Sequence, residues 1–322
     1  MDAAQLRIIY VFTDLVLPLA LGYYLHQKQI ISNKANNFLI HFNIIVVYTL
    51  LSLLSFWVLP LSPRLLWLPV FGILYAVIPG GLALLTFARR YRSDLDRGAY
   101  VMSAMLANIG TLGGLCGFIL YNEIGFAYVQ LVATFQNLLL VALCFPMAQY
   151  YYARHTAAQT HTRLHLSLRE MFLSWNQLAL LGMLAGMLLK SSGVERPPLL
   201  GSLFQSLVHI GAWISLLPVG YLMDFHRARL YYRQILDLLP LRFIIMPGII
   251  YGLIRQLFTD QVLLGTLMIV AATPTAINAV VTSRLYKLNV DLAIAAFLLT
   301  TAVFLLLVFP LLFFYIQSGG TF

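Results

Sequence analysis

The chain has 322 residues, 61% of them hydrophobic, with only 20 Lys/Arg and 11 Asp/Glu and a formal charge of +9. Soluble domains carry about 25% charged residues; this chain carries 10%. Too few charges remain to dress a large wetted surface, which excludes an ordinary cytosolic enzyme, a disordered tail protein and a nucleic-acid binder.

A helix that crosses a bilayer needs about 20 mostly apolar residues. Ten such stretches predict spans 1 to 10 at 7–26, 36–59, 64–88, 98–120, 126–152, 170–190, 199–222, 231–257, 260–285 and 289–317. Span 1 is long enough for a full crossing, and no small-residue cleavage motif follows it. It reads as a true span and not as a removed signal peptide. The longest loop, 153–169, is rich in His, Thr and Arg and falls at the midpoint. Cys116 and Cys144 sit in apolar runs, where neither a disulfide framework nor a Cys metal site is expected. Function is expected inside the bilayer or at its edge.

The basic residues set the orientation. Loops after the odd-numbered spans hold Lys28, Lys34, Arg89, Arg90, Arg92, Arg97, Arg154, Arg163, Arg169, Arg227, Arg229, Arg233, Arg284 and Lys287, 14 of the 20 Lys/Arg. The opposite side holds Arg7, Arg64, Lys190, Arg196 and Arg255, and Arg242 lies within span 8. Lys and Arg concentrate on the cytoplasmic side of a membrane protein. The bias predicts a multi-pass protein of the plasma membrane, or of a bacterial inner membrane. Both termini lie outside and the central loop lies in the cytoplasm. The excess charge then needs no nucleic-acid partner.

The two halves resemble each other. Leu120-Tyr121-Asn122 follows span 4 and Leu285-Tyr286-Lys287 follows span 9, an offset of 165. Gly22 and Leu25 in span 1 match Gly186 and Leu189 in span 6, an offset of 164. Spans 5 and 10 end near Phe145-Pro146 and Phe309-Pro310. Five spans per half is an odd number, so the second half enters from the opposite side. The expected fold is an all-α membrane protein of ten transmembrane helices in two inverted five-helix repeats. Residues 1–155 form the first repeat, 156–169 a cytoplasmic linker, and 170–322 the second.

Spans 4 and 9 carry breaks. Asn108-Ile109-Gly110-Thr111-Leu112-Gly113-Gly114 holds three glycines in five residues, which weakens a helix. In Thr273-Pro274-Thr275-Ala276-Ile277-Asn278, Pro274 has no N–H and disrupts the bond to the Val270 carbonyl. With the 165 offset, Asn108 falls opposite Thr273 and Gly113 opposite Asn278. Paired broken helices in matching positions point to a transporter's binding site. Freed N–H groups can hold an anion and freed carbonyls a cation. The competing reading is that Gly and Pro only permit close packing.

The run Asn108-x-x-x-x-Gly113, followed by Tyr121 and Gly125, resembles the first crossover of the auxin efflux carrier family. Thr273-Pro274-x-Ala276-x-Asn278, followed by Tyr286, Asp291 and Ala295-Ala296, resembles its second. That family holds plant PIN-type carriers and bacterial malonate-type permeases, within a bile-acid/sodium symporter-like superfamily. The family often has Pro where Leu115 stands here, so the first crossover is expected to be softer, or formed by Gly113-Gly114. The short central loop resembles the bacterial members. The resemblance implies a scaffold of spans 1, 2, 6 and 7 and a transport domain of spans 3–5 and 8–10. It also implies elevator-type alternating access and a homodimer.

The expected function is secondary transport of a small organic anion such as a carboxylate, not enzymatic catalysis. Asn108 and Asn278 would supply amides; Gly110, Thr111, Gly113, Thr273 and Pro274 would supply hydroxyl and backbone contacts. Arg242 either complements the anion, snorkels to the membrane edge or pairs with Asp237. Asp14, in the middle of span 1, is a coupling candidate or a structural hydrogen-bonding group. Gln136 and Asn137 in span 5 are further candidates to face the crossover. His41 and His209 read as helix–helix partners, Glu123 as a solvated loop residue, and Trp67 and Tyr150-Tyr151-Tyr152 as interfacial aromatics. No cofactor or metal site is expected, and the coupling ion is H⁺, Na⁺ or none. His155, His161 and His165 read as part of a basic loop. Three rivals stand beside this reading. A sodium-coupled bile-acid-type symporter would need a denser oxygen cluster at the crossover. An intramembrane enzyme would need paired groups such as Asp14 and His41. A receptor or assembly subunit could share the scaffold.

Overall fold

The computed structural model describes residues 9–60, 62–157, 178–221 and 228–322, and there the chain is helical. The predicted linker beyond Ala157, with His161, His165, Arg163 and Arg169, lies outside the described residues, as do Arg7 and Arg227. Helix α1 is Leu17–Gln27. Helix α2 runs Asn33–Phe42, passes a π-helical turn at Asn43–Val47 and continues as Tyr48–Val58. Helices α3 (Trp67–Leu85) and α4 (Asp94–Met105) follow. A π-helical turn at Ile109–Gly113 opens α5 (Gly114–Leu139), and α6 is Phe145–Ala157. Then come α7 (Leu178–Ser191), α8 (Pro198–Tyr221), α9 (Met246–Leu257), α10 (Gln261–Ala271) and α11 (Ile277–Leu285). Helix α12 runs Val290–Val303, through a π-helical turn at Phe304–Val308, into Phe309–Gln317.

Helix starts follow local chemistry. Ser32 Oγ accepts the Ala35 N–H at 3.2 Å, Asp260 Oδ1 that of Val262 at 2.9 Å and Asn289 Oδ1 that of Leu292 at 3.1 Å. Each satisfies an orphan donor at a helix N-terminus. Four of the π-helical turns precede a proline. Val11–Val16, Leu140–Cys144, Leu241–Ile245 and Phe304–Val308 each end two residues before Pro18, Pro146, Pro247 or Pro310. Proline lacks an N–H and its ring crowds the carbonyl four residues back, which in each case lies inside the widened turn. Two further π-helical turns, Asn43–Val47 and Ile109–Gly113, have no such proline.

Six helices among the described residues are long and apolar enough to cross a membrane: Lys34–Val58, Trp67–Leu85, Ile109–Thr156, Pro198–Tyr221, Leu238–Leu257 and Val290–Gln317. Several apolar helices of that length give the chain a multi-pass membrane character. These six differ from the ten predicted stretches at identifiable places. Predicted spans 4 and 9 are interrupted, which leaves α4 with 12 residues and α10 with 11. Predicted spans 1 and 6 begin outside the described residues. Span 4 also runs on into span 5 through a kink at Asn122, φ 54° and ψ −146°.

The fold divides into two compact units. The first gathers Met1–Leu66, Gly110–Thr134 and Leu173–Met223. Within it α1 packs on α8, and α7 on the second half of α2. Glycines permit both approaches: a Cβ at Gly22 would overlap the Leu217 carbonyl, and one at Gly186 the Leu53 carbonyl. The second unit holds Trp67–Ile109, Phe135–Phe172 and Asp224–Phe322. There α4 is nearly enclosed, packing against α3, α6, α11 and α12.

Positive φ angles recur at related positions. Gln29 (53°) and Gly193 (75°) are 164 residues apart, and Asn122 and Lys287 (both 54°) are 165 apart. Left-handed backbone is uncommon outside glycine, so three non-glycine residues in this conformation mark tight chain reversals.

Candidate functional site

In the second unit, the two breaks bind each other. Helix α10 stops at Ala271 because Pro274 cannot donate to Val270. The Val270 carbonyl instead accepts the Thr273 N–H at 3.1 Å and the Thr273 hydroxyl at 2.7 Å. Helix α4 stops at Met105, and Leu106 turns extended. Asn108 N–H then donates to the Pro274 carbonyl and Ala276 N–H to the Leu106 carbonyl, both at 2.8 Å. Ala107 and Thr275 form an antiparallel bridge between these bonds. Buried backbone must be paired, and two broken helices solve that problem mutually. Thr275 fixes the crossing: its hydroxyl donates to the Ser103 carbonyl at 2.9 Å, and its N–H donates to Thr300 Oγ1 at 3.0 Å.

Around this crossing, two side chains keep free capacity. Asn108 is 5% exposed and Asn278, in the first turn of α11, is half-buried. Neither side-chain amide makes a hydrogen bond among the described residues. Thr273, by contrast, has spent its hydroxyl on Val270, and the Pro274 carbonyl is held by Asn108.

Arg242 is 2% exposed and donates from Nη2 to the Ser103 carbonyl at 2.9 Å. That carbonyl lies in the last turn of α4, where no helical N–H can reach it, and the negative helix end favours a cation. Arg242 Nε has no hydrogen-bond partner, and no acidic group among the described residues pairs with the guanidinium. Two alternatives from the sequence are thereby corrected. Arg242 does not reach a wet edge, because α4 and its neighbours enclose it. It does not pair with Asp237, because Asp237 pairs with Arg90 at 2.7 Å. Arg90 also donates to the Gln234 carbonyl, as does the Tyr91 hydroxyl at 2.7 Å. This cluster lies outside the apolar helices, because the one predicted from 231 begins only at Leu238. Burial pushes the Tyr91 phenol up to about 12, against the opposing charge of Arg90. Burial also holds the Asp237 carboxyl above its usual range, again against Arg90.

Other predicted residues belong to the first unit. Gly110 and Thr111 line a small cavity with Tyr48, Leu115, Gly211 and Ser215, and Gly113 is buried. Tyr48 donates its hydroxyl to Thr111 Oγ1 at 3.1 Å, and Gln130 Nε2 donates to the Gly110 carbonyl at 3.1 Å. Asp14 is 3% exposed; Thr13 donates to its Oδ1 at 3.2 Å, and His209 Nδ1 lies 2.5 Å from its Oδ2. The Tyr10 ring packs on that imidazole with centroids 4.4 Å apart. Asp14 thus bonds a neighbouring helix through His209, while His41 is exposed. Glu123 is partly exposed and also paired: Arg196 binds both its oxygens, at 2.7 and 3.2 Å, and donates to the Leu54 carbonyl.

In the second unit, Gln136 is buried with an unpaired Nε2, and Asn137 is exposed. Trp67 and Tyr150 are exposed, as interfacial aromatics would be, but Tyr151 is buried. Sequence reasoning missed Thr275, Ser103, Gln130 and Tyr48. Gln130 had a signal, a lone amide in an apolar run; the hydroxyls had none, because isolated Ser, Thr and Tyr are ordinary in apolar helices. Among the described residues no group of three or more His, Cys, Asp or Glu could hold a metal ion.

Neither a scan against models of known protein families nor a search of curated proteins finds a match for this chain.

Proposed function

We propose that the protein is a secondary carrier of a small organic anion such as a carboxylate. The carrier would have ten crossings in two inverted repeats and work by elevator-type alternating access. The observation that carries the anion reading is Arg242. A buried cation without a counter-charge costs several kcal/mol of desolvation, and an anionic ligand would offset that cost. The free amides of Asn108 and Asn278 are suited to its remaining polar groups. The first turn of α11 also presents unpaired N–H groups and the positive helix end.

The repeat reading has its own support. Positive φ angles recur at offsets of 164 and 165, the same offsets as the sequence matches. In the first unit, Gly22 of predicted span 1 meets the Leu217 carbonyl of span 7, and Gly186 of span 6 meets the Leu53 carbonyl of span 2. Exchanging the halves exchanges these two contacts. The two breaks likewise pair antiparallel, as elements related by a two-fold axis would.

Binding is tested by thermal denaturation of purified protein against a panel of mono- and dicarboxylates. At least one acid is expected to raise Tm, and Asn278→Ala is expected to weaken its binding by about 1 kcal/mol, the worth of one hydrogen bond, and so to reduce the shift. A shift unchanged in Asn278→Ala and in Arg242→Met would rule out the crossing as the binding site.

A further inference from the structure

Two apolar helices of the second unit are tied together just outside their apolar stretches. Helix α3 ends at Leu85 and passes into a 3₁₀-helical turn, Phe87–Arg90. A second such turn, Tyr232–Gln234, precedes the apolar helix Leu238–Leu257. Arg90 locks the two turns to each other. Its Nη2 donates to Asp237 Oδ1 at 3.0 Å and to the Gln234 carbonyl, which also accepts the Tyr91 hydroxyl. The guanidinium lies 5.1 Å from the centroid of the Tyr91 ring and 5.7 Å from that of Tyr100, within cation–π range. Each apolar helix stops within a few residues of this lock. In a bilayer that spacing sets the lock at the depth of the lipid headgroups.

The surface around the lock is basic and apolar at once. Arg89 and Arg92 flank Arg90 and Tyr91 in the chain, and Arg229 and Arg233 precede Gln234. All four are exposed, and none makes an ion pair among the described residues. The carboxylate of the lock, Asp237, is already matched by Arg90 at 2.7 Å. Leu85, Leu230 and Leu236 are 63%, 76% and 51% exposed, whereas Ala228 and Ile235 are fully buried. The buried residues hold the segment in place. The leucines are left free for hydrocarbon and the arginines for anions, the combination that favours an interfacial position.

We infer that this face of the second unit binds the headgroups of anionic phospholipids. Guanidinium groups match phosphate oxygens in bidentate geometry, and each basic residue beside an anionic leaflet strengthens binding about fivefold. An anionic lipid meets both demands of the surface, with a phosphate for the arginines and acyl chains for the leucines. A soluble anion meets only the first, and a zwitterionic lipid brings a cation that the arginines repel. The competing reading is that the arginines only mark the side of the membrane on which they lie. That reading asks nothing of their placement, whereas the lock between two helix ends holds them pre-organised, which lowers the cost of binding. The inference needs the membrane character of the chain and not its cargo, so it stands apart from the carrier reading.

The test is thermal denaturation of the purified protein in micelles of neutral detergent. It is titrated with phosphatidylglycerol, with phosphatidylcholine of the same acyl chains, or with inorganic phosphate. Phosphatidylglycerol alone is expected to raise Tm, and to do so saturably. Arg229→Gln/Arg233→Gln removes two exposed side chains and spares the lock; it is expected to raise the half-saturating lipid fraction about fivefold or more. Arg284→Gln/Lys287→Gln removes as much exposed charge from the end of α11 and is expected to leave half-saturation within about twofold of the unaltered protein, well short of the loss of even one lipid-bound arginine. No shift with phosphatidylglycerol, or an equal shift with phosphatidylcholine, overturns the inference. An equal shift with inorganic phosphate also overturns it and marks a site for a free anion. Equal losses in the two double variants overturn it too, because scattered charge then suffices, as does half-saturation unchanged in Arg229→Gln/Arg233→Gln. Should that variant fail to fold, the unaltered protein still decides. Raising NaCl from about 50 to about 500 mM is expected to weaken the phosphatidylglycerol shift through screening, and a shift indifferent to salt overturns the inference.

Discussion

Arg242 and Asp14 are the two charges that an apolar chain should discourage, and they are met in opposite ways. Asp14 has His209 at 2.5 Å, whereas Arg242 has a carbonyl and no counter-charge. Arg242→Met is therefore expected to abolish any ligand-induced Tm shift while changing ligand-free stability by less than about 2 kcal/mol. The lost carbonyl bond and the relieved desolvation oppose each other. A collapse of ligand-free stability would instead mark Arg242 as purely structural. For Asp14 and His209, each single Leu replacement strands a buried polar partner, at about 1–3 kcal/mol. The double replacement is expected to cost less than the two singles together, as a double-mutant cycle would read; strict additivity would contradict the pairing. Asp237 gives a pH test. Its folded-state pKa lies above the unfolded value, so its favourable contribution is present at low pH and lost as pH rises through the folded pKa. The Tm of the unaltered protein relative to Asp237→Asn is expected to fall from acid pH to neutrality; a flat difference would show no shift. At this scale the sequence exposes which polar residues are out of place in apolar runs, but not their partners. Ser103 is 139 residues from Arg242, and His209 is 195 from Asp14.

Elements were legible to the extent that glycine and proline punctuate them. The break at Pro274 falls where its missing N–H requires, and the break near Asn108 falls just before the glycines, not among them. Gly110 to Gly113 instead continue as a π-helical turn. That displacement is tertiary in origin: Leu106 and Asn108 are drawn into extended backbone by Ala276 and Pro274. The π-helical turns before four prolines went unread although each has a local cause. Close helix approaches yield a contrast of sign. Gly186→Ala drives a Cβ into the Leu53 carbonyl and is expected to destabilise by about 1–3 kcal/mol. Gly248, within α9, has nothing within 4 Å of an added Cβ. Gly248→Ala is expected to be neutral or to stabilise by up to about 1 kcal/mol. Tm values of the two purified variants decide this, and equal effects would contradict the packing described.

For the whole molecule, composition alone establishes the membrane character, because scarcity of charge is a property no local detail can hide. The proposed internal repeat rests, in the sequence, on three short matches in nearly one register. The positive φ angles at Gln29, Gly193, Asn122 and Lys287 repeat that register in the backbone. Helices and hydropathy count differently, six against ten, since a stretch that is interrupted as a helix is still continuous as an apolar run. The proposed carriage of an organic anion through a crossing marked by Arg242, Asn108 and Asn278 is tested by uptake. Purified protein in proteoliposomes would be offered labelled small carboxylates under imposed pH, Na⁺ or voltage gradients. Uptake above protein-free liposomes is expected for at least one acid, lost in Arg242→Met and reduced in Asn278→Ala. Uptake that is absent for every acid under every gradient, or undiminished in both variants, would contradict it.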